Sequence, residues 1–360
     1  MSLTVAILGH GTVGRSVYEL LEKHGDITVK YVLELPQNCS KPYMVSDKDI
    51  IMNDKEVELV VDALPAVHPS YEFIKDALTA GKHVVTSNKA ALCFGFEELM
   101  DLARENGVEL RYEASCGGTI PDIAEAISLS GSNDVTACYG IMNGTTNFIL
   151  DKMATENSDF DETLKEAQKL GFAEADPTAD IGGYDVKNKI VILSNTAYRG
   201  YTTADIPVSG IEKITKKEIA DYAAKGQAIK LLGISVREGN RYALGVVPCI
   251  LGMRTLEANV PKNFNMFTLK CSNAGDVKLY GQGAGGYPTA DAVVRDILMV
   301  KDGVRMGGSD YFGNELVYDP ELLTGTGYIG DEEVSGNLKN LTEKAKEADK
   351  FFAFLPDFMK

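Results

Sequence analysis

Residues 9–14 read Gly9-His10-Gly11-Thr12-Val13-Gly14, placed between the apolar run Thr4–Leu8 and a helical pattern through Val17, Leu20 and Leu21. A glycine turn set between a buried strand and a helix leaves few ways to fold. The first glycine makes the tight turn, the second lets a pyrophosphate approach the backbone, and the third lets helix and strand pack closely; the helix N-terminus then faces the phosphates. A second strand, Thr28–Leu33, ends in Glu34, twenty residues after Gly14. An acidic side chain there can accept hydrogen bonds from a ribose 2′-hydroxyl. The segment reads as a dinucleotide site built on Gly9, Gly11, Thr12, Val13, Gly14 and Glu34. Arg15 could meet a 2′-phosphate, but Glu34 would repel it, so NAD is favoured over NADP.

Strands and helices keep alternating: Val57–Ala63, a helix over Tyr71–Ala80, His83–Thr86, a helix over Phe96–Asn106, then Val108–Glu113. That order predicts an α/β chain with a Rossmann-type, doubly wound parallel sheet. The four histidines, His10, His24, His68 and His83, fall on separate elements, so a histidine triad or zinc site has little to draw on. A net charge of −16 with no Lys/Arg run argues against nucleic acid. No apolar run approaches membrane-spanning length and no charged leader precedes one. Cys39, Cys93, Cys116, Cys138, Cys249 and Cys271 have neither metal nor redox spacing. They predict reduced thiols, no disulfides and a cytoplasmic enzyme.

The second informative stretch, Gly171 to Lys189, gathers Glu174, Asp176, Asp180, Asp185, Lys187 and Lys189 around a Pro turn and the Gly182-Gly183 pair. Asp176-Pro177 is expected to stop the helix suggested by Leu164, Ala167 and Leu170, and Tyr184 to start another. Asp185 and Lys189 then share a helix face. Such a pair is ordinarily a solvated ion pair worth under about 1 kcal/mol. Here Ile190, Val191, Ile192 and Leu193 follow at once, leaving little solvent face near Lys189. Burial lowers the pKa of an ammonium, so a lysine withdrawn from water beside a carboxylate can deliver a proton.

Taken in order, the glycine fingerprint, Gly81–Ala90, Glu113-Ala-Ser-Cys-Gly-Gly, Gly140–Leu150, Gly171–Lys189, Gly210–Thr215, Ile229–Gly233 and Tyr280–Ala290 make the chain resemble homoserine dehydrogenase over about residues 4–296. The resemblance implies reversible, NAD(P)-dependent interconversion of L-aspartate 4-semialdehyde and L-homoserine, a step toward threonine and methionine. It implies Lys189 as the proton-transfer lysine, Lys89 as the lysine reaching the reacting oxygen, and Asp185 beside them. Glu174 and Asp180 would hold the α-ammonium, with Thr145 on the substrate-adjacent turn. Asn88, Lys89 and Gly283 would join the cofactor set, Gly283 against the nicotinamide.

Ser-Cys-Gly-Gly-Thr around Cys116 also admits a thiol nucleophile, but no histidine lies near in sequence to activate it. The resemblance instead implies a structural monovalent cation, such as sodium, held chiefly by the backbone carbonyls of Glu113, Cys116, Gly118 and Ile120.

The expected organisation is a dinucleotide-binding domain over residues 1–130, rejoined by a helix at about 285–300, and an α+β catalytic and dimerisation domain over 131–284. Val135–Met142, Ile229–Arg237, Tyr242–Ile250 and Phe267–Leu279 would be strands of its mixed sheet. The resemblance implies a homodimer. Pro65 stands where relatives usually carry a Gly-Gly turn, which puts cofactor contacts there in question. Residues 301–360, glycine-rich (Gly307 and Gly308 among them) and ending in a polar helix near Leu338–Lys350 and Phe351, Phe352 and Phe354, lie outside the stretch that carries the resemblance. They are too short for the regulatory amino-acid-binding domain some relatives append, so feedback by threonine through such a domain is not expected. The competing readings are a catalytically silent dinucleotide-binding sensor and a dehydrogenase of a related small amino or hydroxy acid.

Overall fold

A computed structural model describes residues 2–203, 205–306 and 311–360; Gly307 and Gly308 of the glycine-rich stretch lie outside them. The chain divides into two compact units, 1–127 with 284–311, and 128–283 with 312–360.

In the first unit, β1 (Leu3–Leu8), β2 (Ile27–Leu33), β3 (Met44–Val45), β4 (Leu59–Asp62), β5 (His83–Thr86) and β6 (Leu110–Arg111) form a six-stranded sheet in the order β3-β2-β1-β4-β5-β6. Every pairing is parallel. That order is the doubly wound dinucleotide-binding topology, whose ligands sit beyond the carboxyl ends of the strands, at the switch between β1 and β4. The central strands read Val-Ala-Ile-Leu and Leu-Val-Val and are wholly buried, as a sheet covered on both faces requires. The helix Gly286–Lys301 returns to this unit, setting Ala290, Val293 and Ile297 into the core formed by β1 and the Thr12–Leu21 helix.

In the second unit, β7 (Val135–Ile141), β8 (Gln227–Glu238), β9 (Arg241–Gly252), β10 (Phe264–Cys271), β11 (Gly275–Gln282), β12 (Val317–Tyr318), β13 (Thr324–Ile329), β14 (Glu332–Asn337) and β15 (Phe352–Pro356) form a mixed sheet. Its order is β11-β10-β7-β8-β9-β15-β13-β14, with β12 pairing β9. Most pairings are antiparallel, while β12 and β15 run parallel to β9. The stretch read as one strand over Phe267–Leu279 is a hairpin. Ser272-Asn273-Ala274 turns between β10 and β11, and Asn133 Oδ1 accepts from the N–H groups of Asn273 and Ala274 to hold it.

The C-terminal segment is built into this sheet. Phe352 and Phe354 of β15 pack with Leu338, Leu341 and Ala345 of the Leu338–Ala348 helix and with Cys249 and Val247 of β9. The phenylalanines that close the sequence therefore fill the core. On the other face, Gly233 lets the Tyr184–Tyr198 helix approach β8, since a Cβ there would lie 3.0 Å from Ile190, Val186 and Met142 side-chain atoms.

Candidate active site

The Tyr184–Tyr198 helix is buried from Lys189 to Tyr198, because the turn 190–193 is apolar on every side, with Ile190 and Val186 set against β8. Lys189 is 5 % exposed, and its ammonium donates to the Met142 carbonyl at 2.7 Å and to Asp185 Oδ2 at 2.9 Å. Asp185 is likewise buried. A surface ion pair of this spacing is weak, but a desolvated one fixes both partners and is strongly destabilised when either is removed.

Asn143 organises the rest. It stands just past β7, and its Oδ1 accepts from the Thr146 N–H at 2.8 Å, capping the Gly144–Glu156 helix. Its Nδ2 donates to Asp180 Oδ1 at 2.7 Å and to Asp185 Oδ2 at 2.9 Å, so one amide bridges two carboxylates. The Thr145 hydroxyl donates to the Phe172 carbonyl at 2.5 Å and lies 3.2 Å from Asp180 Oδ2. Burial and the neighbouring Asp185 charge raise the Asp180 pKa, opposed by Asn143, Thr145 and Lys189.

The approach to this cluster differs from the sequence expectation. The Phe160–Lys169 helix ends well before Pro177, in a paired cap with Phe172 N–H to Ala167 O at 2.8 Å and Gly171 N–H to Gln168 O at 3.1 Å. Gly171 takes the left-handed conformation this needs, at φ +78°. Asp176-Pro177 then opens the short helix Thr178–Ile181, which presents Asp180. Glu174 is exposed on the intervening turn, its carbonyl accepting from Gln168 Nε2. Asn143 is the residue that reading by charge passed over; Asn before Gly-Thr-Thr was the available signal, as a helix cap.

In the first unit, a Cβ on Gly14 would lie 2.0 Å from the Gly9 carbonyl oxygen, whereas one on Gly11 would meet no protein atom within 4 Å. Packing demands the third glycine; the second is required by nothing in the chain. The Thr12–Leu21 helix starts at Gly11 without a side-chain cap, leaving its first N–H groups to an anion. Glu34 sits at the tip of β2, accepting from Asn38 Nδ2 at 3.0 Å, Leu35 N–H at 2.8 Å and His10 N–H at 3.3 Å. The Asn38 hydrogen bond, with these amides, lowers its pKa despite partial burial, so it remains a carboxylate acceptor. These features fit a dinucleotide.

Asn88 has two tasks. Its Nδ2 donates to the Leu64 and Ala66 carbonyls at 2.9 and 2.7 Å, pinning the loop around Pro65, and its Oδ1 accepts from Ala91 N–H at 3.0 Å, capping the helix that begins with half-buried Lys89. Asp62 secures the same loop from the end of β4, accepting from Ser70 and Thr86 hydroxyls at 2.7 and 2.8 Å and from Leu64 N–H at 3.3 Å. Burial raises its carboxyl to about 6.

Cys116 lies 1 % exposed in the buried turn 113–118, a setting for an inert thiol. Glu113 turns its carboxylate to the Ile123 and Ala124 N–H groups at 3.2 and 2.8 Å, at the start of the Asp122–Ser130 helix. Burial and Asp296 both raise its pKa. No cluster of three metal-ligating side chains occurs among the described residues, and a cation at this turn would rely on carbonyl oxygens, hard donors suited to a hard monovalent ion. No helix among the described residues is long and apolar enough to cross a membrane.

Comparison with known proteins places the chain in a family. Residues 121–298 match the homoserine dehydrogenase family model and residues 9–113 match the homoserine dehydrogenase NAD-binding domain. Homoserine dehydrogenase of Bacillus subtilis is 36% identical over 330 residues, covering 87% of this chain and 76% of the relative. The crystal structure of a homoserine dehydrogenase from Thiobacillus denitrificans superposes with a TM-score of 0.85 at 31% identity, over 91% of this chain and 81% of that one. A hyperthermophilic archaeal homoserine dehydrogenase mutant in complex with NADPH aligns with a TM-score of 0.73 at 25% identity, over 84% of this chain and 98% of that one.

Proposed function

The chain belongs to the homoserine dehydrogenase family, and from that premise we propose how its own residues divide the work. It is an NAD(P)-dependent oxidoreductase acting on a CH–OH group, interconverting L-homoserine and L-aspartate 4-semialdehyde. When bound, the nicotinamide cofactor supplies or takes the hydride.

Lys189 gives a proton to the developing alkoxide during reduction and takes it back during oxidation, and Lys89 keeps the role toward the reacting oxygen that the resemblance implies for it. Asp185 and the Met142 carbonyl aim the Lys189 ammonium and keep it from rotating away. The α-ammonium of the substrate is met by Asp180 and Glu174, with Thr145 fixing the Asp180 carboxylate; a small amino acid explains why an acidic loop stands here. The observation that carries this reading is the buried Lys189 joined to Asp185, with Asn143 tying that carboxylate to Asp180.

Gly9, Gly11, Thr12, Val13, Gly14, Asn88, Lys89 and Gly283 hold the cofactor, and Glu34 takes the ribose hydroxyls, so NAD is preferred to NADP. The carbonyls of Glu113, Cys116, Gly118 and Ile120 hold a structural monovalent cation. The protein works as a cytoplasmic homodimer: all six cysteines are free thiols, and the edge strand β11 leaves Tyr280 half exposed, stacked on Phe264.

The test is NADH and NADPH oxidation with L-aspartate 4-semialdehyde, parent against Lys189→Ala at matched folded concentration. Turnover lost by about 10²-fold or more supports the role of Lys189. A parent that binds NAD yet does not turn over points to the sensor, and turnover unchanged by the substitution removes Lys189 from the chemistry.

A further inference from the structure

Asn265 is wholly buried, and neither its Oδ1 nor its Nδ2 has a hydrogen-bond partner. An unsatisfied buried amide destabilises a fold, so such a group calls for an explanation. Its position gives one. β10 and β7 pair with Met266 opposite Ile141, and one step further along this antiparallel register sets Asn265 beside Met142. Met142 turns its side chain toward the Tyr184–Tyr198 helix, near Val186 and Ile190, and its carbonyl holds the Lys189 ammonium. Residues opposite one another in a sheet share a face. The Asn265 carboxamide therefore lies on the helix-bearing face, at the level of the catalytic lysine. Gly283 lies directly over it, for a Cβ there would fall 1.9 Å from Nδ2.

The substrate named above has three polar groups. Its reacting oxygen is matched to Lys189 and its ammonium to Asp180 and Glu174, but its α-carboxylate is still without a donor. Both hydrogens of Asn143 Nδ2 go to Asp180 and Asp185, and the Thr145 hydroxyl goes to Phe172 and Asp180.

Resting on the homoserine reading, we propose that Asn265 is a further substrate-holding residue. Its Nδ2 donates to the α-carboxylate and its Oδ1 accepts from the α-ammonium, once Gly283, just past the end of β11, moves off it. One α-amino-acid head satisfies both orphaned atoms, which makes Asn265 a determinant of specificity for amino over simple hydroxy substrates.

The experiment compares the parent with Asn265→Leu, a substitution of similar size that removes both polar atoms. Thermal stability should hold or rise, because nothing in the fold loses a partner. KM for L-homoserine should rise by about one to two orders of magnitude, the worth of a hydrogen bond to a charged group. The inhibition constant of L-2-aminobutyrate, which keeps the head and lacks the hydroxyl, should rise by the same factor, while that of 3-aminopropan-1-ol, which lacks the carboxylate and keeps only the ammonium contact to Oδ1, should rise by a clearly smaller factor. Unchanged constants for homoserine and aminobutyrate, or an equal loss for both inhibitors, overturn the proposal alone. A parent that does not oxidise L-homoserine overturns the substrate assignment and this proposal with it.

Discussion

Asn143→Asp tests whether a single amide holds two carboxylates together. In the parent, both N–H bonds of the side chain point at oxygens, 2.7 Å to Asp180 and 2.9 Å to Asp185. The substitution puts an acceptor where that donor stood, at nearly constant shape. Unit charges about 4 Å apart repel by about 4 kcal/mol at an effective dielectric constant of about 20, and two such pairs would form, with Lys189 offsetting part of one. The introduced carboxyl escapes this by keeping its proton. Its folded pKa is then raised above the unfolded value of about 3.9, so its contribution is fully present below that value and is lost as pH rises through the folded pKa. Each pH unit in between removes about 1.4 kcal/mol. The helix cap is retained, since Asp caps as well as Asn, so the pH dependence reports the bridge alone.

Chemical unfolding followed by circular dichroism, at pH 5.5 and 7.5, should therefore show the gap between parent and variant widening by about 2–3 kcal/mol, with kcat/KM for L-homoserine recovering toward the acid side. Asn143→Ala should instead show a loss of about 3 kcal/mol or more, independent of pH over that range, from the cap and two charge-assisted hydrogen bonds. A gap that stays constant with pH in the Asp variant would refute the bridge.

The nucleotide unit offers a contrast between glycines: Gly11→Ala should leave the melting temperature unchanged yet raise the NADH Kd at least about tenfold, while Gly14→Ala should lower both stability and binding, as calorimetry and thermal melts would show. Unaltered affinity in Gly11→Ala would mean that no phosphate approaches there. Asp62, raised to about 6 by burial, contributes stability that is complete below about pH 4 and is lost, by about 3 kcal/mol, as pH rises through about 6. Asp62→Asn should remove that slope in unfolding measurements at pH 4.5 and 7.5, and a slope that persists would assign it to other groups. Cys116→Ser should turn over at a near-normal rate; abolished turnover would revive the thiol as a nucleophile.

What the sequence revealed follows from how local each signal is. Gly9–Gly14 with Glu34 specifies a turn, a helix start and a strand end within one βαβ stretch, and β1, β2 and the Thr12–Leu21 helix lie where the pattern put them. The C-terminal segment was opaque for the opposite reason. Phe354 pairs with Cys249, more than a hundred residues away, and Gly325 and Gly327 are strand residues whose partners lie in β14 and β15, so no local pattern marked the glycines at which the sheet requires a close approach.

The candidate active site divides in the same way. Charges are conspicuous, and the Asp185 and Lys189 pair could be placed on one buried helix face because residues 190–193 are apolar. The neutral groups that make those charges tolerable could not. A carboxyl partly withdrawn from water beside another, as Asp180 is beside Asp185, has its pKa raised, and the donors that oppose this are an amide and a hydroxyl from the start of another helix, Asn143 and Thr145. Asn143 was legible only as a cap, a task it also performs, since one side chain offers its oxygen to the helix and its nitrogen to the site. Moving that cap would displace the bridge. The start of the Gly144–Glu156 helix and the Asp180, Asp185 and Lys189 cluster are therefore a single structural element, and the way to separate their contributions is a substitution that preserves the oxygen and replaces the nitrogen.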